Sequence, residues 1–203
     1  MSIALHELRH APGTPLLCLH ALGGSAADFR GAAALWPGPV FALDFAGHGS
    51  SDPLRGGAYY PEALAGDADA ALAHVGAAHL AGAGVGAYVA LLLAGGRPEL
   101  VPGALLLPGA GLDGGGAEPD FATETLESWN DLPPLPGCDP AVRRLERDIR
   151  PPEYAASFAL AARRLLLADD GAPRPPWWAA ASQSPSAAPA PTELARALAL
   201  LGG

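Results

Sequence analysis

The chain has 203 residues and a formal net charge of −9, and half of it is hydrophobic, with the surplus in alanine, glycine and proline. That length suits a single α/β domain, and the acidic balance argues against nucleic acid or anionic membrane as partners, since both require basic patches. All 12 basic residues are arginine, which excludes Schiff-base, pyridoxal-phosphate and P-loop lysine chemistry.

The two cysteines, Cys18 and Cys138, give neither a disulfide framework nor a metal-ligand spacing, and no cofactor is implied. Residues 1–9 lack a charged segment followed by an apolar one. No apolar run reaches the ~18 residues of a membrane span. The expectation is a cytoplasmic protein with no membrane partner.

In chain order, residues 3–10 read as an edge strand and residues 16–20 as a short apolar strand that ends in His20-Ala21-Leu22-Gly23-Gly24. Residues 40–44 are the next strand, and they run into Asp44-Phe45-Ala46-Gly47-His48-Gly49-Ser50-Ser51. Residues 61–75 have helical periodicity. A further apolar run then enters Gly82-Ala83-Gly84-Val85-Gly86 and opens at once into an apolar helix over 85–95. That is a strand, a sharp turn and a helix. Residues 101–107 form another apolar strand, so the rhythm is that of a parallel sheet.

From Pro108 the rhythm breaks. Residues 109–119 are Gly-rich and 130–140 Pro-rich, while 141–150 and 153–167 are read as helices. Residues 174–180 are read as a last short strand, 181–191 as a loop, and 192–201 as a closing helix with Thr192 near its cap.

Three of these segments match one family in type, order and spacing. The chain resembles the α/β-hydrolase superfamily through His20 to Gly24, through Asp44-x-x-Gly47-His48-Gly49-x-Ser51, and through Gly82 to Gly86 at the nucleophile elbow. The resemblance implies one domain over 1–203, a three-layer α/β-hydrolase-like fold. Its sheet would be mostly parallel, with helices on both faces and a short helical cap at about 109–170. The C-terminal part is expected to be truncated, with room for one and a fraction of the two strands that normally follow the cap. Trp129, Trp177 and Trp178 would line or cover the pocket.

The reactive groups of that family are missing. Gly84 stands where the nucleophilic serine should be. All six histidines, at 6, 10, 20, 48, 74 and 79, precede the elbow, whereas the family order is nucleophile, acid, histidine. Aligning Ser182-Gln183-Ser184-Pro185 with the family's Gly-His-x-Pro puts Gln183 at the histidine position, and glutamine is no general base. Losing nucleophile and base together costs about six orders of magnitude in subtilisin. The backbone amides of Leu22 and Val85 would still make an oxyanion hole, because neither needs a particular side chain.

Other residues carry rival readings. Asp113 is the candidate acid, with Asp139, Asp169 and Asp170 as alternatives, each otherwise a solvated loop carboxylate. His20 either lines the pocket or holds its loop, and His48 and Asp44 hold their turn. Cys138 lacks a following histidine to activate it. Arg143, Arg144, Arg147, Arg150, Arg163 and Arg164 either clamp an anion or form an exposed face. Gly82-x-Gly84-x-x-Ala87 also fits a dinucleotide fingerprint, but no acid ends the following strand.

The expected function is that of a degenerate hydrolase that binds a small carbonyl or carboxylate ligand in a capped pocket. One alternative is a serine-independent lyase, isomerase or decarboxylase that pairs the oxyanion hole with a carboxylate such as Asp113. The other is a structural or interaction protein, with a homodimer as one form.

Overall fold

The computed structural model describes residues 1–117 and 133–203. Among these residues seven strands form one sheet: β1 (Leu5–Arg9), β2 (Leu16–Leu19), β3 (Val40–Leu43), β4 (His79–Ala83), β5 (Ala104–Leu107), β6 (Leu165–Ala168) and β7 (Ala187–Ala190). Their order is β1-β3-β2-β4-β5-β6-β7, with β1 antiparallel to β3 and every other pair parallel. The helices are α1 (Arg30–Leu35), α2 (Pro61–Val75), α3 (Val85–Gly96), α4 (Pro152–Ala161), α5 (Pro176–Ser182) and α6 (Leu194–Gly202). The short helical cap lies between β5 and β6. Its described part includes a 3-10 helix over Pro140–Glu146.

The central strands are apolar on both faces, as parallel strands covered by helices must be. Alternation decides which layer each side chain joins. Leu16, Cys18, Ala81, Leu105 and Leu166 pack with α1 and α6. Leu17, Leu19, Leu80, Leu106 and Leu167 pack on the other face with α2, α3, α4 and α5. Helix α3 is buried from Val85 to Ala94 and lies between α2 and α4. An all-apolar helix is stable only in such a place.

The second half corrects several sequence expectations. Residues 153–167 are not one helix: α4 stops at Ala161, Ala162 turns extended, and Leu165-Leu166-Leu167 becomes β6. A short leucine run satisfies a buried strand and a buried helix equally, and the open hydrogen-bonding edge of β5 decides for the strand. Residues 174–180 are not a strand, because Pro176 takes the first turn of α5, where its missing N–H costs nothing. The supposed loop over 181–191 contains β7, whose Pro189 is tolerated because β7 is an edge strand. Two full strands therefore follow the cap rather than one and a fraction. The helix expected over 141–150 is the shorter 3-10 turn, and Arg150 lies beyond it.

Candidate functional site

Strand β4 delivers the chain into α3 through Gly84, whose φ of 58° and ψ of −123° exclude most side chains. The flanking glycines let backbone approach backbone. A Cβ on Gly82 would overlap the Gly86 carbonyl, and one on Gly86 would overlap the carbonyls of Leu19 and His20. The turn is thus as tight as its glycine spacing implies.

The amides of Leu22 and Val85 do converge beside Gly84, as the sequence reading requires, and the chain itself fills the space they face. Both donate to the carbonyl oxygen of Ala110, each at 3.1 Å. That oxygen also occupies the place where a Gly84 side chain would start, since a Cβ there would overlap it and come within 2.9 Å of the Ala21 methyl. Two backbone amides thus converge on one oxygen. Here the oxygen belongs to the loop after β5.

That loop is held from below. The Arg150 side chain is fully buried and donates through Nη1 to the carbonyls of Gly111 (2.6 Å) and Leu112 (2.7 Å), and through Nη2 to that of Leu145 (3.2 Å). Its Nε and Nη2 also pair with both oxygens of Asp148, at 2.8 and 3.0 Å. Trp177 Nε1 adds a third bond to the strand-end segment, at Leu112 O (2.9 Å). Arg150, read in sequence as part of a possible anion clamp, points inward and braces the main chain. The roles of Ala110 and Arg150 escaped the sequence reading. The one available signal was the pair of glycines, Gly109 and Gly111, which lets the backbone approach so closely.

His20 is completely buried. Phe45 N–H donates to its Nε2 at 3.1 Å, which leaves the ring proton on Nδ1, donated to Ala21 O at 2.7 Å. Burial, and then the neighbouring His48 ring 4.8 Å away, pushes its pKa down to about 4. Both nitrogens are spent on holding loops, so His20 is no acid or base. His48 is likewise pushed down by burial, with Nδ1 on Ala46 O and no partner for Nε2 among the described residues. Burial pushes the Asp44 carboxyl up, but the amides of Ala26 and Ser50 and the His6 ring outweigh it, and the net direction is down. Asp44 fastens its turn.

These shifts predict acid lability. His20, His48 and His79 all titrate below their ordinary value in the folded chain, chiefly through burial. The unfolded chain binds protons near pH 6.5 that the folded chain refuses, so stability is full above that pH and falls towards pH 4. The limiting slope is about 1.4 kcal/mol per pH unit for each ring kept neutral. Asp44 extends the loss at still lower pH as its carboxylate is protonated. Urea midpoints at pH 7.5, 6 and 5 check this, and a flat series would contradict it.

The remaining candidates are exposed or hold other parts of the chain. Asp113 is exposed in the loop after β5. Asp169 and Asp170 follow β6 and are tied within their own turn, to the amides of Gly171 and Ala172 and, for Asp170, to Arg174. Asp139 accepts the Tyr59 hydroxyl at 2.9 Å and donates its amide to Gly47 O, which joins the cap to the turn after β3. Burial pushes the Cys138 thiol up, away from nucleophilic use.

Gln183 ends α5, exposed, ahead of β7. Strand β7 runs parallel to β6, and so to β4, which places Gln183 at its N-terminal end, whereas Gly84 follows the C-terminal end of β4. The sheet separates the two, and Pro191-Thr192-Glu193 follows β7 at the end where Gly84 lies. Trp177 and Trp178 are core residues packed on each other, with Trp177 also against Tyr88. Trp129 lies outside the described residues. Among the described residues no helix is long and apolar enough to cross a membrane, and no cluster of three or more His, Cys, Asp or Glu could hold a metal.

No family model and no curated protein matches the chain. Solved structures do. A hypothetical protein from Pseudomonas aeruginosa PAO1 superposes with a TM-score of 0.66 at 23% identity, covering 98% of this chain and 94% of that one. The N-formylmaleamic acid deformylase of Pseudomonas putida S16 gives 0.64 at 15% identity over 96% and 92%. The bottromycin epimerase BotH, in complex with bottromycin A2, gives 0.64 at 20% over 98% and 91%. The chain has the α/β-hydrolase fold. A deformylase and an epimerase share it, so the fold alone fixes no reaction.

Proposed function

We propose, on the premise of an α/β-hydrolase fold, that this chain performs no ester hydrolysis and works as an interaction or binding protein whose elbow is closed by its own main chain. The observation that carries this is the Ala110 carbonyl, which takes the amides of Leu22 and Val85 and the space of any residue-84 side chain. Missing Ser and His are consistent with it, but the carbonyl adds a positive obstacle. A small carbonyl or carboxylate ligand at this site would have to displace an acceptor already bonded twice and a loop anchored by Arg150. Exchanging one amide–carbonyl bond for another gains little.

The serine-independent enzyme is the weaker reading. It requires an ionisable group at the two amides, and His20 is locked while Asp113 is exposed on its loop. The interaction reading needs no such group.

Incubation with p-nitrophenyl acetate and butyrate is expected to give no saturable turnover above buffer. In the same protein, hydrogen exchange at the amides of Leu22 and Val85 is expected to be slow, because both are bonded. Saturable hydrolysis, or fast exchange at both amides, would overturn the reading.

A further inference from the structure

Helix α2 presents Asp67, Ala70, Ala71 and His74 at i, i+3, i+4 and i+7, which places them on one stripe. That stripe faces the open edge of the sheet, where Leu5 of β1 lies beside Leu43 of β3 and Glu7 beside Phe41. Two alanines opposite large strand residues cannot fill the space between helix and sheet. The result is a groove of about 490 Å³. It shares no residue with the elbow.

The groove has apolar walls and an acidic fixture. Asp67 is only 7% exposed. Its Oδ2 accepts the Ala46 amide at 3.1 Å, and its Oδ1 has no hydrogen bond among the described residues. Burial pushes this carboxyl up, as expected of an acid that lacks a cationic partner. Glu7 supplies a second carboxylate at the open end, bonded to the exposed His10 at 2.7 Å. The net charge of −9 raises the local concentration of cations. Volume, a largely apolar lining and a few polar groups, with Asp67 buried and Glu7 and His74 exposed, are the ordinary features of a small-molecule site.

We propose that this groove binds a protonated organic amine with a small apolar body. The ammonium donates to Asp67 Oδ1, and the apolar part lies on Leu5, Phe41 and Leu43. A charge-assisted bond at a mostly buried carboxylate favours the amine over a neutral alcohol of the same shape, and Asp67 and Glu7 repel a carboxylate.

Isothermal titration with phenethylammonium chloride at pH 7.5, beside 2-phenylethanol and phenylacetate, tests this. The amine is expected to bind saturably, and the alcohol and the acid at least about tenfold more weakly. Asp67→Asn is expected to weaken the amine roughly tenfold to hundredfold. Ala70→Leu fills the groove from an exposed helix position, leaves the carboxylate in place, and is expected to abolish binding. Should Asp67→Asn fail to fold, Ala70→Leu and the ligand series still decide. No saturable amine binding, equal binding of the alcohol, or binding unchanged in Ala70→Leu would overturn the proposal. None of these results bears on esterase activity, so this site and the closed elbow stand or fall separately.

Discussion

Gly84→Ser is expected to destabilise the fold by roughly 3–5 kcal/mol and to produce no esterase. Two costs add. A side chain at φ 58° carries about 1–3 kcal/mol of backbone strain. The Cβ also overlaps the Ala110 carbonyl, so that carbonyl must move and both amide bonds to it are lost, at about 1 kcal/mol each. The hydroxyl is irrelevant to either cost, so Gly84→Ala should behave alike. Urea midpoints at constant m-value measure the loss. A Gly84→Ser protein of native stability that hydrolyses p-nitrophenyl esters would show that the loop yields easily, and the closed-elbow reading would fail.

Arg150→Met is the second large effect, at about 3–5 kcal/mol. Methionine keeps much of the apolar volume, but Asp148 is left as a mostly buried carboxylate without its partner, and the carbonyls of Gly111, Leu112 and Leu145 lose their donor. The further substitution Asp148→Leu should recover part of the loss, because removing both charges leaves no uncompensated ion. Freed of its brace, the loop should also expose the Leu22 and Val85 amides to exchange below the global unfolding free energy. A single variant as stable as the parent, with those amides still protected, would remove Arg150 from the account.

The first half of the fold was legible because its turns demand particular residues. Gly82, Gly84 and Gly86 each stand where a Cβ would meet backbone, and Asp44 is held where its spacing from Gly47 and Gly49 implied. After Pro108 the chain is alanine, leucine and proline in runs that satisfy either period. Leu165 to Leu167 and Ala187 to Ala190 became strands only because a neighbouring strand offered an open edge.

Within the candidate site, the direction of the Leu22 and Val85 amides can be read from sequence because the turns that carry them fix it. The place of the Ala110 carbonyl cannot, because a carbonyl from a distant loop leaves no mark on residue type. Arg150 was hidden among Arg143, Arg144 and Arg147, a run that reads as a wetted surface, and only tertiary contact distinguishes the one that is buried. Gln183 was placed by a local likeness in sequence, while its real position follows from strand order.

The closing group at residue 110 is main chain, and this makes the state hard to leave by stepwise mutation. A side chain in the same place could be trimmed by one codon change, whereas every residue type supplies the same carbonyl. Opening the space at residue 84 therefore takes a new route for residues 109–111 rather than a substitution at residue 110, so the closure belongs to the path of the loop and not to the identity of its residue.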